Sequence, residues 1–294
     1  MPARFETLSF LSDYGTDDEF VGVVKSVVRG IAPHVTVIDL AHGLPPHDVR
    51  AGGLALARAV QYLAPGVVLA VVDPGVGTDR RAVAVEVSAG SSVFVGPDNG
   101  LMASAVAMAG GASRAVSLTD PAFHLPAPGP TFAGRDVFAP VAAHLCNGAA
   151  LDDLGDPVDP ATLLPGVLPL TRIEGGSLVA EVLWVDRYGN VQLNVGTEEL
   201  SAFGDAVTLT FPGGVRTATL AQTYGDVGTG GIGLVVDAYG LVSIAANRHS
   251  AADELGLAAG SAVTLGEAGD GRPDGDAAAP VTLRSKPVPG GMPS

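Results

Sequence analysis

The period of the apolar residues changes once along this chain, and that change constrains the fold more than any other feature. Over residues 8–145, short β-rich apolar runs at 7–11, 36–40, 67–72, 82–87 and 93–95 alternate with amphipathic stretches. Each run has the length of a buried strand. The clearest helix follows Asp17 and Asp18, where Val21, Val24, Val27, Val28 and Ile31 recur at helical spacing until Pro33 stops the segment. Strands alternating with helices predict a mostly parallel sheet covered on both faces. Pro157, Pro160, Pro165 and Pro169 then interrupt the pattern as a linker would. Beyond them, 177–185, 207–211, 217–221, 233–236 and 241–245 read as short strands joined by Gly-containing turns. The expected fold class is α/β: an N-terminal, mostly parallel α/β sandwich domain (1–155), a Pro-rich linker (156–170), a smaller C-terminal antiparallel β-barrel domain (171–268) and a disordered tail (269–294).

Composition narrows the function. With 47% hydrophobic residues the chain can bury a substantial core, and 40 Gly with 22 Pro favour tight turns over a helical bundle. Sixteen Lys and Arg against 31 Asp and Glu leave a net charge of −15, which argues against nucleic acid and anionic membranes as partners and favours a cationic small ligand. The lone Cys146 allows no intrachain disulfide. Residues 1–6 lack a basic-then-apolar leader, and no apolar run approaches the roughly 18 residues of a membrane span. A cytoplasmic location is expected.

Three acidic clusters fall where loops meet strand ends, the place where open α/β sheets bind ligands. In Ser12-Asp13-Tyr14-Gly15-Thr16-Asp17-Asp18, Asp17 or Asp18 reads equally well as the N-cap of the following helix. Asp13 stands too far from that helix to cap it and suits a vicinal diol, each carboxylate oxygen accepting one hydroxyl. The second cluster, from Val71 through Asp73-Pro74-Gly75-Val76-Gly77-Thr78 to Arg80 and Arg81, contains a common Asp-Pro-Gly turn. It has no GxGxxG, no GK[ST] and no helical pattern after it, so it is not a phosphate loop. A functional reading pairs Asp73 with a nearby Arg to orient one water. In the third, Trp184-Val185-Asp186-Arg187-Tyr188-Gly189-Asn190 with Gln222-Thr223-Tyr224-Gly225-Asp226, aromatic, amide and carboxylate could stack on a base, read its edge and bind an ammonium. Ordinary turn chemistry explains Gly189-Asn190 about as well. His42 and His47 with Asp39 and Asp48 match no zinc spacing, so no metal is expected. The scattered His34, His124, His144 and His249 have ordinary surface or buried roles as their default. No GxSxG elbow supports Ser-His-Asp catalysis.

Five stretches in order, Ser12-Asp13-Tyr14-Gly15-Thr16, Asp73-Pro74-Gly75-Val76-Gly77-Thr78 with Arg80, Gly96-Pro97-Asp98-Asn99-Gly100-Leu101, Thr131-Phe132-Ala133-Gly134-Arg135-Asp136 and Asp186-Arg187-Tyr188-Gly189-Asn190, resemble one family. It is the S-adenosyl-L-methionine (SAM) hydroxide adenosyltransferases, or adenosine-forming SAM hydrolases, relatives of the SAM-dependent fluorinase and chlorinase. The resemblance implies an α/β domain, a β-barrel domain, and a homotrimer with active sites between the N-terminal domain of one copy and the C-terminal domain of the next. It implies that water attacks C5′ of SAM to give adenosine and methionine, with SAM as substrate and no cofactor. Carried over by position, Asp13 would bind the ribose hydroxyls and Asp18 and Asp186 the methionine ammonium. Tyr188 and Tyr224 would stack on adenine, Asn190 would read its edge, Phe132 would contact the substrate, and Asp73 with Arg80 would hold the attacking water. The chemistry agrees with the residues: methionine leaves as a neutral thioether, needing no general acid, and charge is lost on the way to the transition state. Such a reaction gains from a dry pocket with one fixed water.

The sequence departs from the family twice. The third catalytic position, a His within Thr-Phe-His-Gly-Arg-Asp, is Ala133 here; an assisting base is typically worth about 10²–10⁴ in rate. In Asp237-Ala238-Tyr239-Gly240, Ala238 stands where relatives carry a Ser near the methionine carboxylate. A halogenase is the nearest alternative, but those enzymes lack an acid at the Asp73 position, and the short 89–92 connection leaves no room for the fluorinase's extra loop. A non-catalytic SAM- or adenosine-binding protein is the alternative that Ala133 raises. An unrelated protein whose Asp and Gly clusters are plain turns would not be expected to carry five motifs in order.

Overall fold

Residues 4–268 are described by the computed structural model; the expected tail, 269–294, lies outside the described residues. Seven strands form the first sheet: β1 (Thr7–Ser12), β2 (Thr36–Ala41), β3 (Val67–Val71), β4 (Ala82–Val87), β5 (Ser92–Pro97), β6 (Ala112–Ser117) and β7 (Pro157–Val158). Their spatial order is β2-β1-β3-β5-β4-β6-β7. The first four in that order are parallel, and β4, β6 and β7 extend the sheet by antiparallel pairings.

Helices cover both faces, as the alternation predicts. Because side chains alternate along a strand, Val67, Leu69 and Val71 of β3 join one core with Val24 and Val28 of α1 (Phe20–Ile31). Val68 and Ala70 join the opposite core with Leu56 of α2 (Val49–Ala59) and Ala105 and Val106 of α3 (Ala103–Met108). The almost wholly buried α4 (Ala139–Cys146) completes the first core with Val141 and Leu145. Fully burying a side chain such as Leu8 or Phe10 stabilises the fold by about 1.5–3 kcal/mol. One expected buried strand differs: β2 is an edge strand, half of its residues exposed and none fully buried. The capping expectation also fails. Helix α1 starts at Phe20 with Glu19 as N-cap and no side-chain cap, so neither Asp17 nor Asp18 caps it. Asp48 does cap α2, its carboxylate accepting the Ala51 N–H at 2.8 Å.

Strand order fixes where a ligand can sit. From β1 the chain moves to β2 on one side, while β3 lies on the other, so the carboxyl ends of β1 and β3 flank a topological switch point.

The second sheet closes on itself. Its strands are β8 (Arg172–Glu174), β9 (Ser177–Val185), β10 (Val191–Gly196), β11 (Ala206–Phe211), β12 (Gly214–Ala221), β13 (Ile232–Val236), β14 (Leu241–Ala246) and β15 (Ala262–Glu267). A seven-strand barrel runs β9-β10-β14-β13-β12-β11-β15 and back to β9, with β8 added beside β9. Every pairing of the ring is antiparallel except β12 with β13. Val182, Leu193, Leu209, Leu234, Ile244 and Leu265 fill the interior. Two short helices, α5 (Thr197–Leu200) and α6 (Ala251–Leu255), add Leu200, Ala251 and Leu255 to the same core.

The Pro-rich segment lies along the first sheet: Arg81 Nη2 donates to the Thr162 carbonyl at 2.6 Å and the Leu164 N–H to Asp98 at 2.8 Å. Helix α2 meets the barrel through an Arg50–Glu181 ion pair of 2.6 Å and through Arg58, stacked 4.1 Å from the Trp184 ring. No helix among the described residues is long and apolar enough to cross a membrane.

Candidate active site

The β1–β3 register pairs Ser12 with Val71, so the loops that follow carry Asp13 and Asp73 out of the sheet side by side. The Asp13 N–H donates to the Val71 carbonyl, and Asn99 Nδ2 donates to the Val72 carbonyl at 2.8 Å, holding the strand end just before Asp73. Two successive tight turns follow, with Val76 N–H on the Asp73 carbonyl and Thr78 N–H on the Gly75 carbonyl. Gly77 takes φ +79°, a left-handed value that glycine adopts without strain. These turns fold the chain back so that Arg80 meets Asp73 with a two-pronged contact. Arg80 Nε donates to Oδ1 at 2.8 Å and Nη2 to Oδ2, with side chains only 16% and 6% exposed. The guanidinium rests 5.1 Å from the Phe138 ring.

Asp13 is half-buried, and one of its oxygens accepts the His47 N–H at 2.8 Å. A second brace comes from Ser12, whose Oγ lies 2.7 Å from His42 Nδ1, while His42 Nε2 lies 3.1 Å from Asp39. The triad resemblance is superficial: Ser12 is fully buried and the imidazole presents the opposite nitrogens from a serine hydrolase. Its effect is to hold the Asp13 loop, helped by the Gly15 N–H on the His42 carbonyl. His42 and Asp48 are thus occupied in the fold. Among the described residues no cluster of three or more His, Cys, Asp or Glu is arranged for a metal.

Phe132 packs edge to face on both Tyr14 and Phe20, which meet each other tilted, with centroids 5.1–5.8 Å apart. Ala133 follows, half-buried against the same core, and Gly134–Phe138 forms a π-helical turn before α4. Such turns recur at functional sites. Within it Asp136 is buried and paired with Arg135 at 2.6 Å. Burial, and secondarily Asp13 and Asp73, push the Tyr14 phenol far above its usual pKa.

The third cluster sits on the barrel. Asp186 organises the β9–β10 turn: Oδ1 accepts the Tyr188 and Asn190 N–H groups at 2.8 and 2.9 Å, and Oδ2 accepts Asn190 Nδ2 at 2.8 Å. The Asp237 turn repeats this pattern, accepting the Tyr239 and Leu241 N–H groups. Tyr188, Asn190 and Tyr224 line a cleft of about 520 Å³ with Gly225, Asn247 and Arg248. Both tyrosines are exposed, Tyr188 by 80%. No residue of the Asp13–Asp73 group lines this cleft. Asp18 is exposed ahead of α1. The Asp13–Asp73 group and the barrel cleft are therefore separate features of one chain.

The family model for the SAM hydroxide adenosyltransferase N-terminal domain matches residues 8–155, and that for the C-terminal domain matches residues 180–264. This chain belongs to the SAM hydroxide adenosyltransferase family. A relative from Salinispora tropica named (R)-S-adenosyl-L-methionine hydrolase is 45% identical over 86% of this chain and 95% of its own. A fluorinase from an Actinoplanes species is 26% identical over 91% of this chain and 100% of its own. A crystal structure of an uncharacterized conserved protein from Thermotoga maritima superposes with a TM-score of 0.80 at 33% identity, covering 88% of this chain and 99% of that one. The family placement read from the five motifs is borne out. Within this adenosyltransferase, sequence reasoning passed over the Ser12–His42–Asp39 brace, the Tyr14 hydroxyl and the Asn247–Arg248 side of the barrel cleft. In the sequence Ser12 stands out only as the start of the Asp13 cluster, and His42 and Asp39 only as residues that match no zinc spacing, because a brace between strand ends leaves no spacing signal.

Proposed function

We infer that this chain hydrolyses SAM to adenosine and L-methionine by water attack at C5′. The observation that carries the reading is the Asp73–Arg80 pair, buried beside Asp13 at the switch point of a chain belonging to this family. Arg80 occupies both Asp73 oxygens from one side and fixes the plane of the carboxylate, which then accepts a proton from one water and aims its lone pair at C5′. The free oxygen of Asp13 takes ribose hydroxyls, and Phe132 walls the pocket. The C5′–S bond breaks as the C5′–O bond forms, the electron pair leaves on sulfur, and methionine departs as a neutral thioether, so neither a general acid nor a cofactor is required. Tyr188 and Tyr224 stack on adenine while the Asn190 oxygen reads its edge. Asp18 and Asp186 attract the methionine ammonium, Asp186 with its oxygens already shared with its own turn. Ala133 leaves one wall of the water site without the family's imidazole.

Because no residue of the Asp13–Asp73 group lines the barrel cleft of the same chain, we also propose that catalysis takes place at the interfaces of a homotrimer, the first sheet of one copy against the barrel of the next. A cytoplasmic location belongs to this reading too: Cys146 is a buried free thiol, so the described fold relies on no disulfide. The name of the Salinispora relative specifies the (R) sulfonium epimer, and we extend that preference to this chain. The Asp73 carboxylate disfavours a halide in the nucleophile position by charge repulsion, against the halogenase alternative. Incubation with each SAM epimer, with and without chloride or fluoride, tests the assignment by chromatography. Adenosine and methionine, faster from the (R) epimer and unchanged by halide, are expected; 5′-halogenated adenosine, or SAM bound and never consumed, would overturn it.

A further inference from the structure

We propose that the Tyr14 hydroxyl is a hydrogen-bond donor to the attacking water, standing in for the imidazole that Ala133 lacks; the inference rests on the hydrolase reading above. Three observations place it there. A Cβ built on Gly134 would come within 2.1 Å of Tyr14 Oη, so the hydroxyl lies directly against the backbone that follows Ala133. The Phe132 ring at 5.6 Å and the Phe20 ring at 5.8 Å fix the phenol plane, while the Tyr14 N–H reaches Ser12 Oγ, itself braced by His42. Phe138, at the far end of the same π-helical turn, carries the Arg80 guanidinium. One turn thus gathers the Tyr14 hydroxyl and the Asp73–Arg80 pair into a single corner.

The chemistry of the phenol follows from its surroundings. Burial and the neighbouring Asp13 and Asp73 keep it protonated far beyond neutral pH, and its oxygen lies against the Gly134 backbone. It is therefore a donor at working pH, and its proton can hold the oxygen of a water whose own proton goes to Asp73. It does not act as a base; Asp73 takes the proton. A phenylalanine would fill the same aromatic cluster, so packing alone does not require the hydroxyl.

The test is a kinetic cycle on the full chain with SAM: parent, Tyr14→Phe, Ala133→His and the double variant, each with kcat and KM. Tyr14→Phe should lower kcat roughly 10–100-fold with KM changed less than about threefold, the signature of an interaction made mainly in the transition state. In the Ala133→His background the same substitution should cost less than about threefold, because the imidazole then occupies the corner. A Tyr14→Phe enzyme within twofold of the parent would overturn the inference, as would equal losses in both backgrounds, which mark a purely structural hydroxyl. A parent that never consumes SAM would overturn the hydrolase reading and this inference with it, whereas parental turnover indifferent to Tyr14 overturns this inference alone.

Discussion

Removing one partner of the Asp73–Arg80 pair separates its structural contribution from its chemical one. With side chains 6% and 16% exposed and two donors engaged, the pair lies in the buried regime. There, deleting one charge costs about 3–5 kcal/mol, against about 0–1 kcal/mol for an exposed pair. Arg80→Met keeps the apolar stem over Phe138 but strands the Asp73 carboxylate, so stability should fall by about 3–5 kcal/mol, lowering Tm by roughly 6–20 °C in a chain of this size. Asp73→Asn retains the shape and one acceptor for the guanidinium; its stability loss should be smaller, about 1–3 kcal/mol. The kinetic order runs differently. Asp73→Asn removes the proton acceptor and should lower kcat by about 10²–10⁴, while Arg80→Met, wherever it stays folded, keeps that acceptor and loses only its orientation. Urea melts and SAM turnover on the same samples make the comparison. An Arg80→Met variant as stable as the parent, or an Asp73→Asn variant of parental kcat, would refute the reasoning.

Other expectations follow from neighbouring parts of the molecule. Ala133→His should raise kcat, by less than the about 10²–10⁴ of an unaided base if Tyr14 already fills the corner; steady-state kinetics with SAM decide, and an unchanged rate would remove position 133 from catalysis. In the proposed homotrimer Asp73→Asn and Asn190→Ala disable opposite half-sites, so assemblies re-formed from equal amounts of both should join two intact halves at about one interface in four and recover about a quarter of parental activity. Activity no higher than the sum of the two inactive variants would mean that each chain forms its site alone. His124 and His144 are held below the usual histidine value by burial. Their folded values lie under the unfolded one, so the stability they contribute is present above about pH 6.5 and lost as pH falls through the depressed values. Urea midpoints should decline from pH 7 to 5, less steeply in a His124→Gln/His144→Gln variant, and an identical slope would assign the decline elsewhere.

Much of this was legible because it depends on period and order. The alternation of apolar runs with the Val21–Ile31 pattern gave the two-faced first sheet, and five motifs in sequence gave the family. That Asp13 and Asp73 come together needed only the rule that ligands gather at carboxyl ends where the strand order reverses. Other features left weaker signals. Val191, Leu193 and Val195 alternate as a strand should, but the run follows a conspicuous turn motif that drew the functional reading instead. The strand at 262–267 runs up to the Gly- and Pro-rich tail, yet without it and β10 the barrel could not close. The parallel β12–β13 pair reflects a connection through the Tyr224 turn that no local pattern announces. The π-helical turn and the Ser12–His42–Asp39 brace depend on residues brought together by strand pairing, and composition is silent about both.

Hydrolysis in ¹⁸O-labelled water, followed by mass spectrometry of the nucleoside, shows whether water attacks C5′. Adenosine labelled at the 5′-oxygen, released in equal amount with unlabelled methionine, is the expected product. SAM recovered intact, or adenosine whose 5′-oxygen does not come from the solvent, would contradict that attack.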